Sequence, residues 1–278
     1  MATRKGLGAV QTVLIHAFLI VVGLFFLSPF LWMVSTSIKP NSELFLWPPK
    51  WIPDVMEWSN YPKAIDYIPF FKYLANTVTI AGLATVGVLL SCPLVAYSLA
   101  RIPWKGAKPL FAVTLMVMML PYQATMIPIF IAFKNLGLVG TKMPLWFPAF
   151  FGAPFYIFLL RQFFMGLPKE LEDAARIDGA SEMRIYGQIM LPLCRPALLT
   201  IALFQLMGSW NDYQGPLIYL SDESQYTLML GVQGFKTQHS AEWQMMMATL
   251  VMITFPIILL YFFVQKAFIR GITFSGIK

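Results

Sequence analysis

Five of the thirteen acidic side chains in this 278-residue chain, Glu170, Glu172, Asp173, Asp178 and Glu182, fall between Pro168 and Pro192. The rest is mostly apolar, with 58% hydrophobic and only 12% charged residues. Such a density of carboxylates marks a segment held outside hydrocarbon, where charge is costly. The chemistry it offers is charge pairing at an exposed polar surface. Catalytic groupings are missing elsewhere: the sequence has no phosphate-cradling GxxxxGK[ST], no nucleophile elbow, no HExxH and no paired-cysteine motif. No catalytic residue, cofactor or metal is therefore expected, and ATP hydrolysis by this chain is excluded. The two histidines, His16 and His239, are too few and too far apart in the chain for a metal site. Cys92 and Cys194 read as small packing residues rather than a disulfide.

The acidic stretch needs two short helices to position it. Pro168 suits a first helical turn, and Glu170, Glu172 and Asp173 follow at the positive end of that helix dipole. Gly179 supplies a stop, and Ser181 is a good N-cap for a second helix. In that second helix Met183, Tyr186 and Met190 form an apolar stripe at i, i+3 and i+7, with Ile185 and Ile189 beside it. Pro192 closes the unit.

Hydrophobic segments long enough to cross a bilayer lie on both sides. The first covers residues 10–34, after a 1–9 tail holding Arg4 and Lys5. It is too long for a cleaved leader and lacks a small-residue cleavage site. A polar segment, 35–72, carries Pro48, Pro49, Trp47, Trp51, Trp58 and Tyr61 and reads as an interfacial external loop. Further spans are expected at 75–99, 109–133, 143–164, 196–220 and 245–264, within a domain of residues 73–267, before a short tail at 268–278. Pro121 and Pro128 imply kinks or breaks in the third span. Six spans with both termini inside place thirteen basic residues on the inner side and seven outside, as the positive-inside rule requires. The net charge of +7 therefore reads as topology, with no nucleic acid involved.

Asp173-Ala174-Ala175, three residues, Gly179, nine residues, Ile189, one residue and Leu191-Pro192 resemble the EAA-x3-G-x9-I-x-L-P signature of membrane subunits of binding-protein-dependent ABC importers. Asp173 replaces the usual Glu. The segments STSIKPNSELFLWPPKW, LPYQATMIPIF, GSWNDYQGPLIYL and FVQKAFIRGITFSGIK are similar to the carbohydrate branch, and within it to the second permease subunit of maltose-type importers. The resemblance spans essentially the whole chain. It implies an all-α polytopic membrane protein with the type I importer permease fold, in a bacterial or archaeal cell membrane. It also implies several partners: a second homologous permease subunit, a cytoplasmic ABC ATPase dimer and an extracytoplasmic solute-binding protein. By the same resemblance, residues 168–192 dock on the ATPase as a coupling loop. Glu172, Asp173 and Asp178 would supply exposed polar contacts, and Ala174 and Ala175 would allow close helix approach. A loop at 221–243, acidic on balance, would face the binding protein.

The implied cargo is a carbohydrate, with a polyol or glycerol-phosphate compound as the alternative. Residues fitted to a sugar pathway are Gln123, Gln205, Trp210 and Asn211, an aromatic face with amides for hydroxyl groups. Gln123 and Gln205 read better as hydrogen-bonding helices together, and Asn211 reads equally as either. An ion-coupled secondary transporter would normally show intramembrane carboxylates, and Asp212, towards a span end, is the lone candidate.

Overall fold

A segment that leaves water must satisfy its backbone hydrogen bonds internally, which selects helices for single apolar spans. A computed structural model describes residues 8–236 and 242–274, and its regular elements are helices. The first is α1 (Ala9–Ser37), whose 29 residues reach about 44 Å at about 1.5 Å per residue. That exceeds the roughly 30 Å of a bilayer's hydrocarbon core. Its side chains, among them Val10, Leu14, Phe18, Leu24 and Phe25, are exposed, as a lipid-facing helix requires.

By contact the chain divides into two compact units, one running to Ile68 and including Gly234–Phe255, the other holding Pro69–Gln233 and the residues from Pro256 on. Within the first unit, α1 leads to α2 (Asn60–Tyr67) through a loop that is pinned rather than free. The Asn60 amide donates to the carbonyls of Ser37 (3.0 Å) and Lys39 (3.1 Å). The Lys39 ammonium sits 3.9 Å from the Trp32 ring centroid, a cation–π contact. The Tyr67 and Phe235 rings stack with centroids 5.2 Å apart.

The second unit is built on α3 (Phe70–Arg101), which packs against five of the helices that follow it. Next come α4 (Ala107–Met118) and α5 (Tyr122–Asn135), set at 102° to one another. The short α6 (Met143–Trp146), a 3-10 turn at Phe147–Phe151 and α7 (Pro154–Met165) make one apolar run. The acidic stretch forms α8 (Glu170–Ile177), α9 (Glu182–Ile185), a π turn (Tyr186–Met190) and α10 (Leu191–Leu193). Then follow α11 (Arg195–Trp210), α12 (Gln214–Tyr219) and α13 (Leu228–Gly231). The last helix is α14 (Trp243–Phe274).

Among the described residues, four runs are long and apolar enough to cross a membrane, and the number reaches six if each of two bent helix pairs is one span. The break expected within 109–133 falls at Leu120–Pro121, since proline cannot donate the hydrogen bond that would continue α4, whereas Pro128 sits inside the unbroken α5. Several expected ranges differ from these helices. The span expected at 196–220 ends as a helix at Trp210, and α12 starts separately. The segment expected as loop at 35–72 contains α2 and the start of α3. At the far end α14 runs past residue 264 to Phe274. Most of the 1–9 tail, the end of the 268–278 tail and residues 237–241 of the 221–243 loop lie outside the described residues.

Close packing in the second unit explains one glycine. A Cβ on Gly87 of α3 would lie 2.7 Å from Phe150 Cδ2 and 3.0 Å from the Ala149 carbonyl carbon. At Gly82, on the same helix, a Cβ would meet nothing within 4 Å. The two should therefore respond with opposite sign. Gly87→Ala should destabilise by about 1–3 kcal/mol, whereas Gly82→Ala should gain up to about 1 kcal/mol of helix propensity. The melting temperature of the detergent-purified protein distinguishes the two.

Candidate functional site

The two-helix unit begins with three acids in the first turn of α8, Glu170, Glu172 and Asp173. Its turn is closed by the backbone. Gly179 has φ +77, its N–H reaches the Arg176 carbonyl at 3.0 Å, and the Ala180 N–H reaches Ala175 at 2.9 Å. This is the double closure of a Schellman motif, which needs a left-handed residue at that position. A Cβ there would meet no atom within 4 Å, so the requirement for glycine is torsional. Ser181 then caps α9, its Oγ accepting from the Arg184 N–H at 3.4 Å.

A chain of charges ties this unit to α3. Arg101 ends α3 with its side chain only 3% exposed, and the Glu172 carboxylate, 4% exposed, lies 3.4 Å away. Arg101 Nη2 also donates to the Phe164 carbonyl at 2.6 Å and to that of Leu167. These carbonyls, at and just beyond the end of α7, are of the kind that lack intrahelical partners. Glu172 is shared with Arg176 at 3.7 Å. Arg176 pairs with Asp173 at 3.1 Å and, across the Gly179 turn, with Glu182 at 2.8 Å. Tyr97, one turn before Arg101, donates its hydroxyl to Glu182 at 3.1 Å. The Tyr97 ring also meets Phe164 (centroids 5.7 Å apart) and Tyr186 (5.3 Å). Two residues of α3 thus hold one helix each of the pair.

The electrostatics follow from this geometry. Burial pushes the Glu172 carboxyl up from its ordinary value, and Arg101 and Arg176 offset part of that. The hydrogen bond from Arg176 holds Glu182 below the usual range and, reciprocally, raises Arg176. A depressed carboxylate stabilises the folded state above its unfolded pKa and loses that contribution as pH falls through the folded value. The Glu182 clamp is therefore intact at neutral pH and weakens in acid.

Asp173 and Asp178 face solvent, as does Ala174, while Ala175 is buried. Ile189, Leu191 and Pro192 are half-buried at the base. Two expectations need correction. Glu172 is no exposed contact, because its position on α8 turns it inward to Arg101. Met183 does not share a face with Met190: it is 69% exposed, whereas Ile185 and Met190 are fully buried. The π turn at Tyr186–Met190 takes more residues per turn and shifts the register of the stripe. Ile177 is 87% exposed, so the free side of the pair mixes acids with apolar side chains. Tyr97 and Arg101 escaped the sequence analysis as site residues. Their signal was a tyrosine and an arginine spaced i, i+4 at the end of a span.

The proposed pathway residues are not gathered into one cluster by the hydrogen bonds described. Gln123 is exposed near the start of α5. Gln205 donates to Ser209 at 2.9 Å and Asn211 to the Met207 carbonyl at 2.8 Å, both within α11 or at its end. Trp210 is buried. Asp212 accepts from the Gly215 N–H at 3.0 Å in the first turn of α12.

Residues 93–274 match the family described as binding-protein-dependent transport system inner membrane component. An arabinooligosaccharides transport system permease protein of Halalkalibacterium halodurans is 37% identical over 209 residues, 75% of this chain and 75% of the relative. A Bacillus subtilis protein of the same description is 31% identical over 273 residues, 97% of each. A diacetylchitobiose uptake system permease protein of Streptomyces coelicolor is 31% identical over 90% of this chain and 84% of that relative. Among solved structures, a chain of a bacterial ABC transporter involved in the import of the acidic polysaccharide alginate superposes with a TM-score of 0.80. It covers 96% of this chain and 98% of its own length at 24% identity, a likeness of fold.

Removing one member of the buried pair should cost more than removing both. Arg101→Gln leaves Glu172 buried without its main partner, a loss of about 3–5 kcal/mol. In the double variant Arg101→Gln, Glu172→Gln no uncompensated charge remains, and part of the loss should return. Thermal unfolding of the purified protein checks the order: wild type, then the double variant, then the single.

Proposed function

The chain belongs to the binding-protein-dependent transport system inner membrane components, and on that membership we propose that it is a permease subunit of an ABC importer for a sugar or oligosaccharide. It forms half of a translocation pathway and takes its energy from a separate ATPase. The observation that carries this reading is the two-helix unit itself. The spacing Asp173-Ala174-Ala175, Gly179, Ile189, Leu191-Pro192 folds into a rigid pair with Gly179 at positive φ, held to α3 by Tyr97 and Arg101. A coupling loop needs that construction, since movement at a docked surface reaches the spans only through a stiff connection. Asp173, Asp178, Ile177 and Met183 form the exposed face for a cytoplasmic ATPase dimer. The relatives are permeases and not enzymes, in keeping with the absence of any phosphate-binding loop in the sequence.

The carbohydrate assignment draws on relatives described as carriers of arabinooligosaccharides and of diacetylchitobiose. A second permease subunit completes the pathway, and an extracytoplasmic binding protein delivers the cargo. Both termini face the cytoplasm, as the basic-residue bias supports.

Orientation is tested by single cysteines at Ser181 and Ser221, both exposed. They should react with an impermeant thiol reagent from opposite faces of the membrane, and labelling from one face overturns the topology. Coupling is tested at the turn. Gly179→Val forces a branched side chain into the left-handed region at roughly 1–2 kcal/mol without touching any span. The variant should insert normally, yet lose most uptake through weakened ATPase association or uncoupled hydrolysis. Uptake and ATPase activity are measured side by side in the purified complex. Normal transport would remove the coupling role from this loop.

A further inference from the structure

We propose that the open cleft where α3 gives way to α4 binds the phosphate of an anionic phospholipid. The cleft is a shallow depression of about 520 Å³, open to solvent, lined by Leu99, Ile102, Trp104, Lys105, Lys108 and Arg161, among others. Three of these side chains are cationic. None takes part in an ion pair among the described residues. Arg161 spends its Nε on the Leu99 carbonyl at 3.2 Å and rests its guanidinium 3.9 Å from the Phe111 ring centroid. Neither contact supplies a negative charge.

The helix end adds to the imbalance. α4 starts at Ala107 with no acid in its first turn and no side-chain cap from Gly106. The N-terminus of a 12-residue helix carries a partial positive charge. Here it is accompanied by Lys105 and Lys108, where acids would normally be favoured. An anion seated in the cleft would meet this helix end and three side-chain cations together, which is a phosphate-binding arrangement.

The remaining lining and the location favour a lipid as the source of that phosphate. The cleft lies at the end of the 32-residue helix α3, which is long and apolar enough to cross a membrane. Trp104 is held in place as one wall: its indole N–H donates to the Ser98 carbonyl at 3.3 Å, and its ring covers Gly106, where a Cβ would lie 1.9 Å from it. A fixed, partly exposed tryptophan at this depth suits the headgroup region. Leu94 on α3 and Leu110 and Val113 on α4 are exposed, giving apolar surface on both helices for acyl chains. A free phosphate ion would use the cations but none of this apolar surface.

The site is tested with the full-length chain purified in detergent together with its co-purifying partners. Native mass spectrometry reads retention of phosphatidylglycerol against phosphatidylcholine, and brominated versions of each lipid read proximity to Trp104 by fluorescence quenching, with Trp104→Phe as the reference. The wild type should prefer phosphatidylglycerol. Lys105→Gln, Lys108→Gln, both at exposed positions, should lower that affinity about thirtyfold while the chain still assembles. Equal retention of the two lipids, or unchanged affinity in the double variant, overturns the proposal. A parallel arm adds inorganic phosphate. Displacement of phosphatidylglycerol at similar concentrations reassigns the cleft to free phosphate, and insensitivity supports the lipid. Protection of Lys105 and Lys108 from acylation by partner subunits, with no lipid present, would assign the cleft to a protein surface and also overturn it.

Discussion

A guanidinium and a carboxylate buried side by side at the end of a long apolar helix set the terms for everything around them. Withdrawing two ions from water costs several kcal/mol for each, and the pair survives only if the remaining donors and acceptors are also met. Arg101 goes part of the way by donating to the carbonyls of Phe164 and Leu167, and Glu172 by adding Arg176, while Arg101 Nε and Glu172 Oε1 face each other at 3.4 Å as an ion pair without a hydrogen bond. Three helix ends are fixed as a result. α3 must end at Arg101, α7 must end with its carbonyls turned to that point, and α8 must start with Glu172 inward. The hydrophobic cluster that includes Cys92, Tyr97, Phe164, Ile185, Met190 and Cys194 closes over this arrangement. Both cysteines are free and buried there, as packing residues.

The charges around the end of α3 divide into two populations. On one side, Arg101 and Arg176 are matched by Glu172, Asp173 and Glu182 at distances between 2.8 and 3.7 Å. On the other, Lys105, Lys108 and Arg161 line a cleft with no carboxylate of this chain in an ion pair with them among the described residues. A count of positive residues near a membrane face treats both groups alike. The structure separates them: the matched set builds the protein, and the unmatched set is left for something else.

What was legible in the sequence was whatever has few physical solutions. A glycine between two amphipathic stretches, followed by a serine, has one economical reading, and Gly179 and Ser181 occupy those roles. The polar island between apolar runs was equally plain. Long-range partners were not. Glu172 and Asp173 are neighbours of the same chemical type, yet one is buried and the other exposed, and the difference lies with Arg101, distant in sequence. The Met183 stripe failed because helical periodicity assumes one residue count per turn, which the π turn breaks. Hydropathy found the third and fifth apolar segments and Pro121 signalled a break in the third, but neither carries information about direction, so the 102° angle at that break and the helix end at Trp210 emerged only in three dimensions. Amides placed in spans by composition turned out, at Gln205 and Asn211, to be engaged locally.

Tyr97 and Arg101 lie one helical turn apart, and each holds a different helix of the acidic pair. A body fastened at a single point swivels about it, and a push on its far side is spent in that swivel. Fastened at two, it has no free axis left except the line between them, and the packing of Ala175, Ile185 and Met190 into the core blocks rotation about that line. In the proposed coupling role, a push at Ile177 or Met183 would then be passed on to α3 rather than spent in a swivel. The second fastening, a single phenol hydroxyl, converts a flexible attachment into a crank.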